Sequence, residues 1–112
     1  MLAAGLVACG QHTGSSPQDT ATSVTQAVYN NDQAGTTQHF DDALKAQVTR
    51  TQVAMISDKM HQLGDFQGLT ETKSDADTRQ YWYDAKFSKG DMVVELKLHS
   101  DGTVAAYRVI PK

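Results

Sequence analysis

The last third of the chain has the clearest alternation of apolar and polar positions. Three runs rich in β-branched and aromatic residues lie there, and two short turns separate them. The runs span residues 79–88, 92–99 and 103–110. Lys89 and Gly90 join the first two runs, and residues 100–102, which end in Asp-Gly, join the second pair. Turn residues at this spacing indicate consecutive hairpins, so the pattern predicts an antiparallel meander.

Alternation along these runs divides the predicted strands into an apolar and a polar face. The apolar positions are Tyr81, Tyr83, Ala85 and Phe87, then Val94, Leu96 and Leu98. The opposite positions are Trp82, Asp84, Lys86 and Ser88, then Val93, Glu95, Lys97 and His99. The last run is ambiguous, although Ala105, Tyr107 and Val109 make a cleaner apolar face than the alternate positions 104, 106, 108 and 110.

Aromatic residues at 81–83 occupy both faces of the predicted sheet. Trp82 shares its face with charged residues, where it could stack on a ligand or a partner protein. Packing of Trp82 under a loop or against the first helix is the alternative interpretation. Trp82, Tyr81, Tyr83 and Asp84 are the candidate binding residues, and the exposed sheet face is also a candidate dimer interface.

Helical periodicity dominates the chain before the meander. Asp19 or Thr20 can cap a first helix that reaches about Asn30, with an apolar stripe on one side. Breaker residues at 30–35 interrupt the pattern. A second helical piece follows. Its apolar residues at four-residue spacing are Phe40, Leu44 and Val48, with Asp41 and Asp42 near its start.

A third helix has the most complete set of signals. Thr49 and Gln52 have capping-box spacing, and Gly64 suits the position just after the last turn. Its apolar stripe comprises Val53, Ile56, Met60 and Leu63. We expect this stripe to pack on the sheet. A weak strand at 66–73, interrupted by Gly68, completes the predicted α+β fold: N-terminal helices on one face of a mostly antiparallel sheet of about four strands.

Composition narrows the class of protein. The chain has 112 residues, which suits one domain, with 39% apolar and 21% charged residues. A net charge of −3 and scattered Lys and Arg argue against nucleic-acid binding. Because Cys9 is the single cysteine, an intrachain disulfide and a multi-cysteine zinc site are excluded, and no cofactor is predicted.

The sequence around Cys9 is more informative than the fact that the chain has a single cysteine. An apolar run at 1–8 ends in Leu6-Val7-Ala8, directly before Cys9 and Gly10. This sequence resembles the lipobox of bacterial lipoproteins, in which the cysteine becomes lipidated. No Lys or Arg precedes the run, although signal peptides usually open with one. A short buried helix or a frayed tail is the alternative.

The lipobox interpretation divides the chain into three parts. Residues 1–8 are then the remnant of a signal peptide, and 9–18 are the lipidated cysteine and a flexible polar tether. Residues 19–112 form a single domain. Several acyl chains on Cys9 would anchor the protein stably at a membrane. The predicted location is therefore the bacterial cell envelope, on the extracytoplasmic side.

Two histidines lie close to carboxylates in the helical region. His39 precedes Asp41 and Asp42, and His61 lies three residues after Asp58. Such pairs could act in general-base catalysis or ligate a metal. Solvated helix ends and surface pairing explain them equally well, so we assign neither a catalytic nor a metal-binding role.

The order of elements resembles the cystatin-like superfold, which includes nuclear transport factor 2 and ketosteroid isomerase. Within it, residues 20–112 are similar to a group of small bacterial domains of unknown function. The resemblance rests on Val48-Thr49, on Leu63-Gly64-Asp65-Phe66, and on Asp101-Gly102 followed by Pro111. It implies a cone between the helices and the sheet. Enzymes of the superfold place a general-base Asp in that cone, but no residue here matches the position.

Three functions are compatible with these features. The first is a non-catalytic, lipid-anchored envelope domain that binds a small ligand or a protein. The second is a small isomerase or dehydratase that uses a buried Asp in the cone, for which Asp84 is the best candidate. The third is an assembly role through the exposed face of the sheet.

Overall fold

The computed structural model describes residues 16–112, in which four helices precede four strands. The helices are α1 (Pro17–Tyr29), α2 (Gln33–Thr37), α3 (Asp42–Gln47) and α4 (Arg50–Gln62). The strands are β1 (Phe66–Asp75), β2 (Gln80–Phe87), β3 (Gly90–Leu98) and β4 (Val104–Pro111). This order confirms the predicted α+β fold. None of the described helices is long and apolar enough to cross a bilayer.

The four strands form one antiparallel sheet in the order β1-β2-β3-β4. The predicted meander is therefore confirmed. Tyr83 lies opposite Val94, which in turn lies opposite Val109, and this row belongs to the apolar face. The next row, Asp84, Val93 and Ile110, belongs to the other face. We call these the inner and outer faces, since the helices cover only the first.

Two local details of the sheet differ from the predictions. The turn between β2 and β3 is made by Ser88 and Lys89, while Gly90 already pairs with Phe87. In β4 a register shift leaves Ala105 without a directly opposite residue, because Val104 pairs with Leu98. The shift turns Val104 into the core, where it is fully buried, in the place predicted for Ala105.

Helix α1 begins earlier than the sequence predicted. Ser16, rather than Asp19 or Thr20, is the N-cap, and its hydroxyl accepts a hydrogen bond from the Asp19 amide at 3.0 Å. Pro17 fits the first helical position because its missing N–H would have no partner there. The predicted tether therefore gives way to helix at residue 17. Ala21, Val24 and Val28 are buried on the side that faces the sheet.

Residues 33–47 form two short helices, α2 within and just after the predicted interruption at 30–35, and α3 in the second predicted helical piece. Phe40 lies between them in an isolated parallel bridge with Val104. Asp41 then caps α3 by accepting a hydrogen bond from the Leu44 amide at 2.7 Å, as its place near the helix start predicted. The division brings the α2–α3 connection against β4 and fixes it there.

Helix α4 confirms its predicted caps. Thr49 and Gln52 form the reciprocal capping box, and Gly64 has a φ of +97°. A side chain at Gly64 would meet Ser88 Oγ at 1.9 Å, so glycine is required both by conformation and by space. The Lys89 amide donates to the Leu63 carbonyl at 2.7 Å, which joins the end of α4 to the β2–β3 turn.

The neighbour of α4 is the main surprise of the fold. Val53 and Met60 of its apolar stripe are buried, but the helix packs chiefly on α1 and secondarily on α2. The expectation that this stripe lies directly on the sheet is thus only partly met. Helix α1 instead contacts β1 and β3, while α3 contacts β4. A gap remains between α4 and β4.

A candidate ligand-binding cavity

The gap between α4 and β4 is a cavity of about 300 Å³ that opens to solvent on one side. Its wall is almost entirely apolar. The wall side chains are Val28, Phe40, Val48, Val53, Ile56 and Tyr107. Thr36 contributes from α2, and Gln52, Met55 and Lys59 lie along the opening on α4. Cavities of this size and polarity are typical of sites for small molecules.

Hydrogen bonds hold each wall of the cavity in place. The α2–α3 connection is fixed to β4 because the Val104 amide donates to the His39 carbonyl at 2.8 Å. The Asp41 amide donates to the Val104 carbonyl at 3.0 Å. On the α4 side, the Thr49–Gln52 capping box fixes the first turn, from which Gln52 and Val53 project. The cavity is therefore preformed rather than dependent on a mobile loop.

Tyr107 is the one aromatic phenol in the wall. Its hydroxyl and that of Thr25 lie 2.7 Å apart and share a hydrogen bond, which ties β4 to α1. The Tyr107 ring also lies 6.0 Å from the Phe40 ring, centroid to centroid. Burial raises the pKa of Tyr107 well above its ordinary value, against a smaller lowering by the Thr25 hydrogen bond. Tyr107 is therefore a neutral hydrogen-bonding group at physiological pH.

Tyr83, one of the candidate binding residues, lies elsewhere on the inner face. Its side chain is fully buried, and its hydroxyl has no hydrogen-bond partner among the described residues. Burial is the main cause that raises the pKa of Tyr83, with smaller contributions from Glu71 and Tyr81. Tyr83 is not part of the cavity wall. It is a core residue with an unpaired phenol.

The other candidate binding residues do not converge on one site. Tyr81 is partly buried on the inner face with Tyr83, whereas Trp82 and Asp84 belong to the outer face. None of the four lines the cavity. Strand alternation prevents neighbouring residues from sharing a face. The four residues therefore lie on two faces of the sheet, and a role for any of them in binding stays a prediction.

The outer face is dominated by paired charges. Lys112 Nζ lies 2.8 Å from Asp84 Oδ2, and Lys86 Nζ lies 3.0 Å from Asp91 Oδ2. Arg108 pairs with Glu95 at 2.6 Å, and the Lys73 ammonium lies 4.8 Å from the centroid of the Trp82 ring. Trp82 is thus partly covered by a neighbouring strand's lysine. Dimerisation through this face stays a prediction.

The histidines make contacts that differ from the sequence pairings. Asp41 accepts a hydrogen bond from His99, with Nε2 and Oδ2 2.7 Å apart, rather than pairing with His39. The His61 ring lies 4.1 Å from that of Tyr29, and its Nε2 is 3.0 Å from the Tyr29 carbonyl. Within residues 16–112, no three His, Cys, Asp or Glu side chains are arranged to hold a metal ion.

Several residues that line the cavity or support its wall were not singled out for function by the sequence patterns. Thr25 lies in the apolar stripe of α1, between Val24 and Val28. Its place in that stripe could have predicted that its hydroxyl is buried. Phe40 and Val48 were noted only for helical spacing. Met55 and Lys59 carried no signal, because exposed residues on a helix are ordinary. Cys9 lies outside the described residues.

Comparison with protein-family models, with curated proteins and with solved structures found no match. The cystatin-like resemblance and the lipobox therefore stay predictions from the sequence.

Proposed function

We propose that this chain is a non-catalytic binding module of the bacterial cell envelope, which takes a small apolar molecule into the cavity between α4 and β4. The observation that carries the proposal is the cavity itself, about 300 Å³ with an apolar wall. That volume lies at the lower end of the range of about 300–1,000 Å³ for ligand pockets. A ligand with few polar groups is favoured, since only Thr36 and Tyr107 offer hydroxyls inside.

Chemistry within the cavity favours binding over catalysis. Among the described residues that line it, the titratable groups are Tyr107 and Lys59, and no carboxylate is present. Asp84, the candidate base for an isomerase or dehydratase, lies on the outer face with Lys112 as its partner. Proton abstraction from a ligand in the cavity would therefore need a base from elsewhere. No feature of the geometry favours the enzymatic alternative.

The rigidity of the walls also supports a binding role. Preformed pockets lose less conformational entropy when a ligand enters than loops that must become ordered. The capping box of α4, the Asp41 cap of α3 and the Thr25–Tyr107 hydrogen bond each fix one wall. The apolar surface of the wall would then contribute to affinity through removal from water.

A fluorescence titration tests the binding proposal. N-phenyl-1-naphthylamine, a neutral probe that brightens in apolar surroundings, should bind the full chain at a single saturable site. Replacement Ile56→Trp fills the cavity from α4 and should weaken binding by at least about tenfold. Gln62→Trp, an exposed position on the same helix that does not line the cavity, is the matched control. Circular dichroism should show that both variants are folded. Equal affinity of the two folded variants for the probe would refute the proposal.

Anchoring is a separate part of the proposal, supported by the lipobox-like sequence Leu6-Val7-Ala8-Cys9-Gly10. A lipidated Cys9 would hold the domain, which begins with α1 at Pro17, close to the membrane surface. The variant Cys9→Ala should move the protein from the membrane fraction to the soluble fraction of the producing cell. Unchanged fractionation of Cys9→Ala would rule out a lipid anchor without affecting the cavity.

A further inference from the structure

The opening of the cavity has a composition different from its wall. Gln52, Met55 and Lys59 lie on α4 at spacings of three and four residues, so they share one side of the helix. All three are exposed, and Met55 is 57% exposed, the one exposed large hydrophobic side chain among the described residues. An exposed Met beside an apolar cavity is a surface on which a flexible chain can pack.

Among the residues that line the cavity, Lys59 is the one with a formal charge. No ion pair joins Lys59 to any described carboxylate. Its helical neighbours at three and four residues are Ile56, Met55, Gln62 and Leu63, none of them acidic. Asp58 precedes it in sequence, but adjacent residues point to different sides of a helix. Within residues 16–112, no carboxylate is therefore paired with the Lys59 ammonium.

The side-chain amide of Gln52 lies on the same side of α4, two turns before Lys59. The Gln52 side-chain oxygen accepts from the Thr49 amide at 3.0 Å as part of the capping box. That bond fixes the orientation of the amide and leaves its NH₂ group to donate. Because Gln52 lies about 10 Å from Lys59 along the helix, an anion beside Lys59 would meet the ammonium alone, while the cavity behind it is apolar.

We propose that the ligand is an unbranched amphiphilic anion, such as a medium-chain alkyl carboxylate. Its chain would lie in the cavity between Ile56 and Tyr107, and its carboxylate would meet Lys59 at the opening. This inference rests on the proposed function and adds the polarity and orientation of the ligand. The net charge of −3 repels an anionic ligand only weakly, because exposed charges more than about 10 Å apart are screened at ordinary ionic strength.

Matched pairs of ligands separate this inference from the proposed function. Decanoate and 1-decanol have the same chain and differ in the charge of the head group. Displacement of N-phenyl-1-naphthylamine from the full chain should show decanoate binding about three- to fivefold tighter at low salt. From hexanoate to decanoate, Kd should fall by about fourfold per methylene until the cavity is filled.

Lysine variants assign the preference to one residue. Lys59→Gln should remove the preference for decanoate over decanol, and 1 M NaCl should reduce it in the unmodified chain. Lys45→Gln is the control, since Lys45 is an exposed lysine of α3 that does not line the cavity. It should leave the preference unchanged.

The outcomes distinguish the two claims. Displacement of the probe by both ligands with equal affinity, or a preference that survives in Lys59→Gln, would overturn this inference and leave the proposed function standing. If neither ligand displaces the probe, and the Ile56→Trp variant binds the probe as well as the unmodified chain does, both the inference and the proposed function are overturned. Binding to phosphatidylglycerol vesicles without binding of monomeric decanoate would overturn the inference in favour of a membrane surface.

Discussion

The inner face of the sheet is filled at one end and open at the other. Under α1 the side chains are tightly enclosed, and Tyr83, Ala85 and Val94 have no exposed surface. Beside α4 and β4 the same face borders a cavity of about 300 Å³, with Tyr107 in its wall. Both regions use apolar residues at alternating strand positions. Their difference comes from the helices, because α1 lies on the sheet while α4 lies mainly on α1.

A small domain can in this way combine stability with an open cavity. A core of this size contributes only modest stability, so most of it must be well packed. Here the filled region supplies that packing. The open region is held instead by caps and hydrogen bonds at its margins, at Thr49, Asp41 and Tyr107. Four pairs of substitutions test the difference between the filled and the open region, in descending order of expected effect.

Truncation of a large side chain should cost much more in the filled region. Leu96 is 2% exposed in the middle of β3, and Leu96→Ala should lower the free energy of unfolding by about 2–5 kcal/mol. Ile56 already borders empty space and is partly exposed, so Ile56→Ala should cost only about 1 kcal/mol. Urea denaturation of both variants measures the difference. Equal losses would mean that the two regions are packed alike.

Added volume should have opposite effects at two buried valines. Val94 is fully buried away from the cavity, and Val94→Ile should lower stability by about 1–3 kcal/mol through overpacking. Val53 lines the cavity, so its added methyl group has room, and Val53→Ile should range from no change to a gain of about 1 kcal/mol. The substitutions are chemically identical, which makes each the control for the other. A loss of similar size at Val53 would contradict an open region.

Local patterns predicted most of the fold. The meander and the inner face of β2 and β3 followed from alternation, and α4 followed from Thr49, Gln52 and Gly64. These features depend on residues within a few positions of one another, where steric and hydrogen-bonding rules are strong. The start of α1 was missed because Ser16 and Pro17 were interpreted as part of a tether.

The cavity could not be predicted in the same way. Its existence depends on whether α4 lies on the sheet or on α1, and an apolar stripe suits either neighbour. The Thr25–Tyr107 hydrogen bond joins residues 82 positions apart, and Asp41–His99 joins residues 58 apart. Sequence periodicity carries no information at such separations. The shift at Ala105 likewise depends on pairing with β3, so alternation alone left the face of Val104 ambiguous.

The two tyrosines of the inner face offer a finer test. Tyr107→Phe removes the partner of the Thr25 hydroxyl and should cost about 1–2 kcal/mol. Tyr83→Phe removes a buried hydroxyl that has no partner among the described residues, so it should cost nothing and could add about 1 kcal/mol. Thermal unfolding of both variants checks the order. A larger loss at Tyr83 would show that its phenol is hydrogen-bonded in solution.

The smallest expected effect is a loss of stability at low pH, which comes from Asp41 at the margin of the open region. The hydrogen bond from His99 is the largest cause that holds the pKa of Asp41 below its ordinary value of 3.8, and the bond from the Leu44 amide adds to it. Since the folded-state pKa is the lower one, the Asp41 carboxylate stabilises the fold fully above pH 3.8. That contribution is lost as the pH falls below 3.8 and through the folded-state value.

Replacement Asp41→Asn should keep a capping side chain but remove this pH dependence. The Tm difference between the variant and the unmodified chain should therefore shrink from pH 6 to pH 3. Asp77→Asn, at an exposed aspartate in the β1–β2 turn, is the control and should show a smaller change. Hydrogen exchange at pH 3 should show faster opening of α3 than of β2, because Asp41 joins α3 to β4 beside the cavity. A constant Tm difference across this range would exclude Asp41 as the acid-sensitive contact of the open region.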